Sequence, residues 1–319
     1  MKMNRTFAVH EPPGKRLPGF VATAYAFAVP AILLATTSTS HAEYESAAFG
    51  VAKYNAVYSN GVRECPCTST DGKKNCTDSS WFTTFAGTFN SRMDWMGYAQ
   101  TELYRNQSVD GADFTDSTRF PDTGGDDVDP WGTDFADAIF LASHSSAVCS
   151  GSTFESSFGM GEEHPDQTCW PTTQREMRFG DADADVAILF SCQSVQKCVW
   201  DANHYSRMSA PSGSLSMVMG FHGEMYLNSE ANGRLDDYLS DTKMHNIGEY
   251  WVDYLTDIQG LPWEQPDVCA TIAMWGNTDA EIHTMYDHGG FMDFWPTGRH
   301  NRAAFYYWDE CDPHGGEEL

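Results

Sequence analysis

Three apolar runs in this chain each end on a side chain that does chemistry. Ala138-Ile139-Phe140-Leu141-Ala142-Ser143 leads into His144, and Val186-Ala187-Ile188-Leu189-Phe190-Ser191 leads into Cys192. Leu215-Ser216-Met217-Val218-Met219-Gly220-Phe221 leads into His222. Runs rich in Ile, Val, Leu and Phe without polar alternation read as strands buried on both faces of a parallel sheet. In open α/β sheets the reacting groups gather at the carboxyl ends of neighbouring strands. The three run ends therefore constrain the fold and the location of any site together.

The remaining patterns fit the same architecture. Phe82, Phe85, Phe89, Met93, Met96 and Leu103 recur at three-, four- and seven-residue spacing and predict an amphipathic helix over 81–104, broken or bent near Gly87 or Gly97. A first strand is expected over 47–57, helices over 233–239 and 247–258, a core strand over 268–275 and an edge strand over 303–308. Strands separated by helical segments predict an α/β fold with a mostly parallel sheet.

The first 42 residues read as a secretory signal rather than as fold. Lys2, Arg5, Lys15 and Arg16 precede an uncharged, mostly apolar stretch over 17–37, and Ser40-His41-Ala42 offers a small-x-small cleavage site. A retained anchor is the alternative, because that stretch approaches spanning length. Pro30 and the many Ala and Thr residues favour cleavage, which implies a secreted or periplasmic protein. Residues 43–319 then suit one α/β domain, with 225–319 a C-terminal extension that completes the sheet. The whole chain carries 19 basic and 45 acidic residues, a net −26. Removing the leader's four basic residues and one acidic residue takes this to −29. Such a surface repels nucleic acid and anionic lipid, and it suits a cationic substrate or simple solubility.

Nine cysteines in an oxidising compartment predict disulfides, and the odd count leaves at least one thiol over. Cys192 is the natural candidate for it, while a Cys192–Cys198 bridge is the arrangement that would remove it. A thiolate at Cys192 with an imidazole at His144 would make a nucleophile and a general acid/base. A strand-to-helix turn directly after Cys192 would expose the sulfur and lower its pKa through the helix N-terminus.

With these residues in view, the chain resembles the caspase-like cysteine peptidases, which include caspases, metacaspases, legumains, gingipains and clostripain. Their hallmark is an apolar strand ending in His-Gly and a second ending in Ala-Cys some tens of residues later. Here His144-Ser145 and Ser191-Cys192 stand at those places, 48 residues apart. The chain is also similar to uncharacterised secreted bacterial proteins of caspase-like appearance that carry a Gly-Phe-His strand end, here Gly220 to His222. The resemblance implies a three-layer α/β/α fold and a Cys192–His144 dyad working through an acyl-enzyme on a peptide or protein substrate, by hydrolysis or transpeptidation, with no required cofactor. It places the oxyanion donors on the N–H groups of Ser145 and Cys192. Ser145 departs from the family's Gly, and a Gly-only backbone there would strain Ser. His222, with Gly223 and Glu224 behind it, is expected to line the pocket, act as a second base or hydrogen-bond across the strand ends. Residue preference at the cut is not encoded legibly; the acidic balance tilts it towards a basic residue.

Two other readings remain open on sequence. One is a non-catalytic binding or structural protein on the same scaffold, with Cys192 in a disulfide. The other is metal-assisted hydrolysis by His144, His222 and nearby acids. The Gly-rich loop over 122–137 holds Asp126, Asp127 and Asp129, whose hard oxygens suit calcium, although a solvated acidic loop fits them better.

Overall fold

The computed structural model describes residues 4–7, 44–55, 75–77, 80–121, 124–126, 132–150, 153–160, 172–174, 176–180, 183–202, 213–223, 225, 227–256, 268–293 and 301–307. In chain order the elements begin β1 (Asn4–Phe7), β2 (Glu45–Gly50), β3 (Lys53–Asn55), β4 (Asn75–Thr77), α1 (Trp81–Met96) and β5 (Ala99–Arg105). Next come β6 (Ala138–Ala142), β7 (Ser145–Ser150), β8 (Thr153–Phe158), β9 (Thr172–Thr173), β10 (Val186–Phe190) and α2 (Lys197–Asp201). The chain closes with β11 (Met217–Phe221), α3 (Ser229–Asp241), α4 (Ile247–Thr256), β12 (Ala270–Gly276), α5 (Asp279–His288) and β13 (Arg302–Tyr307).

The three apolar runs become three adjacent strands in the middle of an eight-stranded sheet, ordered β1-β13-β12-β11-β10-β6-β2-β5. From β5 to β11 every pairing is parallel. Beyond β11 the pairings are antiparallel. Residues from 225 onward supply β12 and β13, and β1 pairs outside β13 as the edge strand. β1 falls inside the first 42 residues, so leader cleavage would remove that edge strand and leave seven.

Alternate residues of the central strands feed two cores, which is why the runs lack polar alternation. Phe140, Phe190, Met219 and Phe221 pack on one face beneath α1, α3, α4 and α5, against Phe82, Phe85, Leu235, Trp251 and Met285. Ile139, Leu141, Leu189 and Val218 pack on the other beneath α2 and the β7–β8 hairpin, with Ala147, Phe158, Val199 and Trp200. The result is a three-layer α/β/α arrangement. Each fully buried Phe or Trp contributes about 1.5–3 kcal/mol of hydrophobic stabilisation.

Elements differ from the sequence expectation at several places: the strand expected over 47–57 ends at Gly50 as β2, the helix expected over 233–239 spans Ser229–Asp241 as α3, and the connection after His144 carries the β7–β8 hairpin. The helix expected to reach 104 stops at Gly97, whose φ of 104° closes α1 while its N–H bonds to Met93 O and Asp94 O. That left-handed conformation suits Gly. Residues 99–105 then leave as β5, so Leu103 joins the core from a strand despite its helical spacing from Met96. Among the described residues no helix is long and apolar enough to cross a membrane.

Candidate active site

His144 and Cys192 follow the carboxyl ends of the neighbouring strands β6 and β10. These strands pair in register up to Leu189 with Leu141 and Phe190 with Ala142, and Ser143-His144 and Ser191-Cys192 continue from those ends. Ser143 N–H donates to Ser191 Oγ at 3.3 Å, and the Ser145 hydroxyl donates to the Cys192 carbonyl. The alternation also fixes the face. His144 packs edge-on against Phe82 of α1 with ring centres 5.0 Å apart, and Cys192 packs against the same α1-side core. Both functional side chains therefore leave the sheet on one side.

Cys192 is a half-buried thiol. Its sulfur sits 3.3 Å from the Met225 amide nitrogen and 3.7 Å from the Met225 carbonyl oxygen. The helix expected directly behind it begins only at Lys197. A tight turn intervenes, in which Gln193 takes φ of 50°. Non-Gly residues hold this conformation at a cost of roughly 1–3 kcal/mol when their surroundings impose it. Here they do. Gln193 N–H donates to Gly223 O, its Oε1 accepts from Ala147 N–H, and its carbonyl accepts from the Ser156 hydroxyl. Val195 N–H donates to Phe221 O, and Ser194 Oγ bridges Leu189 O and the Phe221 N–H. A Cβ on Gly220 would lie 2.4 Å from Ser194 Oγ, so the turn lies flat on β11 because that position is Gly. A Gly inside a strand pattern was the legible trace of this close approach; nothing in the sequence marks Gln193 or Met225.

Ser145 and Cys192, the residues expected to supply oxyanion donors, meet through the Ser145 hydroxyl and the Cys192 carbonyl. Ser145 opens β7, and no left-handed φ occurs there, so Ser is accommodated without the strain a Gly-only position would impose. Amides alternate in direction along a strand. The Ser145 N–H thus leaves β7 on the same side as that of Ala147, which meets the Gln193 side chain.

His222 is brought to the other face. It is 2% exposed, and its Nδ1 accepts from the Lys197 N–H at 3.1 Å. The proton therefore resides on Nε2, which has no partner among the described residues. Burial, with the nearby Lys197 charge, pushes its pKa down to about 4, against an opposing pull from Asp201. The two imidazoles do not converge on one centre, and among the described residues no group of three or more His, Cys, Asp or Glu side chains could hold a metal. Glu224 lies outside the described residues, as do Asp127 and Asp129. Asp126 is buried, and its Oδ1 accepts from Ser117 N–H at 2.9 Å.

Cys198 pairs with Cys149 rather than with Cys192, across a Cα–Cα distance of 6.2 Å. This bridge joins α2, which follows the Cys192 turn, to β7, which follows His144. Cys269 is disulfide-bonded as well.

At the opposite, amino end of the strands, Asp137 and Asp185 precede β6 and β10 and line a small cavity with Tyr98, Ser216 and Asp293. Burial, with the charges of Asp137, Asp183 and Asp134, pushes Asp185 up to about 8; burial, with the charges of Asp183 and Glu45, pushes Asp137 up to about 6, partly relieved by the Glu45 N–H. In the sequence Asp185 stands out only as part of an alternating Asp181, Asp183, Asp185 run without calcium-loop spacing, and Asp137 passes unmarked, because an acid just ahead of a buried strand looks like an ordinary loop residue.

Among solved structures the chain is similar to protein GSU0716 from Geobacter sulfurreducens, with 12% identity and a TM-score of 0.43 over 75% of this chain and 96% of that one. No curated protein matches it. The family described as Domain of unknown function (DUF6345) matches residues 60–310, most of the chain's length, and the protein belongs to that family.

Proposed function

We propose that this chain is a secreted cysteine endopeptidase of caspase-like design, with Cys192 as nucleophile and His144 as general acid/base. One observation carries the reading: His144 and Cys192 end neighbouring parallel strands in register and leave the sheet on the same face. The Cys149–Cys198 pairing supports it, since it takes up Cys198, the partner expected for a non-catalytic bridge.

In this mechanism the Cys192 thiolate forms a C–S bond to the scissile carbonyl. The N–H groups of Ser145 and Cys192 receive the developing oxyanion, an effect worth about 10²–10³ in rate per donor. As the C–N bond breaks, imidazolium at His144 gives its proton to the leaving amine. Neutral His144 then takes a proton from water, whose oxygen bonds to the acyl carbon and releases the thiolate. An amine in place of water gives transpeptidation by the same steps. No step calls on a cofactor. The net charge of −26 favours substrates with a basic residue at the cut.

The test is turnover of a peptide library by the secreted protein and by Cys192→Ala and His144→Ala. Each variant should lose at least about 10³-fold in kcat/KM while melting as the parent does. Full activity in either folded variant overturns the proposal.

A further inference from the structure

The reacting sulfur has a main-chain partner that the dyad description leaves out. Met225 N lies 3.3 Å from Cys192 Sγ and donates to it. Met225 is 5% exposed and belongs to the same α1-side core against which Cys192 packs. Its position is set by the exit of β11, where His222 N–H donates to Cys269 O and Gly223 O accepts the Gln193 N–H, each at 2.8 Å. Donor and nucleophile are thus held by two ends of one clamp.

We propose that the Met225 main-chain N–H holds Cys192 as a thiolate, supplying what a helix N-terminus directly behind the nucleophile would have supplied. A donor to the charged form favours ionisation, and weak solvation around a half-buried sulfur increases the effect. The Met225 carbonyl acts in the opposite sense, since it accepts from the neutral S–H. It is the farther of the two, 3.7 Å against 3.3 Å, so the amide prevails. α2 begins five residues after Cys192 and is itself five residues long, which leaves the amide as the nearer dipole. This inference rests on Cys192 being the nucleophile, and it adds a catalytic group that touches the reacting atom.

The experiment follows the pH dependence of iodoacetamide alkylation at Cys192 in the full chain, without reductant, with Cys192→Ala as the background. Met225→Pro deletes the N–H, and Met225→Leu keeps it. Because Pro can disturb the segment, a third variant replaces the 225 residue by the α-hydroxy acid analogue of Met, so that an ester removes only the N–H. Circular dichroism confirms folding of each. The Pro and ester variants should move the alkylation midpoint up by about one pH unit and slow labelling at neutral pH about tenfold, while Leu leaves both unchanged. A folded ester variant that titrates with the parent overturns the inference, as does a parent midpoint at the ordinary thiol value. The assay needs no peptide substrate. An inactive chain that shows the shift refutes the peptidase reading and leaves only the thiolate contact standing; an active peptidase without the shift refutes this inference alone.

Discussion

The Lys197 amide donates to Nδ1 of His222 across 3.1 Å, which ties the end of β11 to the far end of the turn bearing Cys192. The bond requires a neutral imidazole. His222 titrates at about 4 in the fold and near 6.5 when exposed, so between these values the unfolded chain binds a proton that the folded chain does not. This contribution is therefore complete above pH 6.5 and is lost as the pH falls towards 4; its ceiling is ~3 kcal/mol. Urea unfolding of parent and His222→Asn across that window is the check. Asn offers an acceptor without the titration, so the variant should show a flatter decline, and an unchanged slope counts against the account.

Asp185 predicts the opposite slope. Its carboxyl, pushed up to about 8 by burial and by Asp137, Asp183 and Asp134, holds a proton in the fold that the unfolded chain has released above its ordinary value. Stability from this group falls as the pH rises from about 4 to 8. Asp185→Asn should therefore stabilise the protein at pH 7–8, with a ceiling of about 4 kcal/mol at pH 7, and hardly at all at pH 4. Melting temperatures at the two ends of that range decide it.

The Cys149–Cys198 bridge should matter for stability and for the alignment of the site. It closes a loop of 49 residues of separation, for which chain entropy gives about 4 kcal/mol. Cys149→Ser with Cys198→Ser should lower the denaturant midpoint accordingly and slow alkylation of Cys192. In the parent, iodoacetamide without reductant should label Cys192 and spare Cys149 and Cys198, as read by peptide mass mapping. Labelling of the bridged pair instead would reject the pairing.

Ser145 gives a prediction against the pattern of the caspase-like peptidases, which carry Gly after the His. Because its backbone is not left-handed, placing Gly there relieves no strain. Ser145→Gly loses the hydroxyl bond to the Cys192 carbonyl and adds chain entropy in β7, together costing about 1–2 kcal/mol. A higher melting temperature in the Gly variant would show that Ser145 is strained after all.

Much of this arrangement was written in residue order. The strands into His144, Cys192 and His222 were legible because burial on both faces leaves no polar positions within a run. The extent of α4 and the strands β12 and β13 followed from the same periodicities, whereas α3 runs from Ser229 to Asp241, well beyond the expected 233–239. The β5 strand was not legible, since Leu103 fits a helical stripe by spacing and only Gly97's backbone conformation ends the helix. Which face each strand-end residue takes was also beyond sequence. Three chemically similar ends looked like one site, yet alternation sends His144 and Cys192 to one side and His222 to the other. The cysteine count called for an unbridged thiol; pairing Cys149 with Cys198 required strands and helix to be in place. Local pattern thus determined the elements and the candidates at their ends, because side-chain period is a property of the chain itself. Register, facing and the approach of Met225 to the sulfur were decided in the tertiary structure, where residues distant in sequence meet.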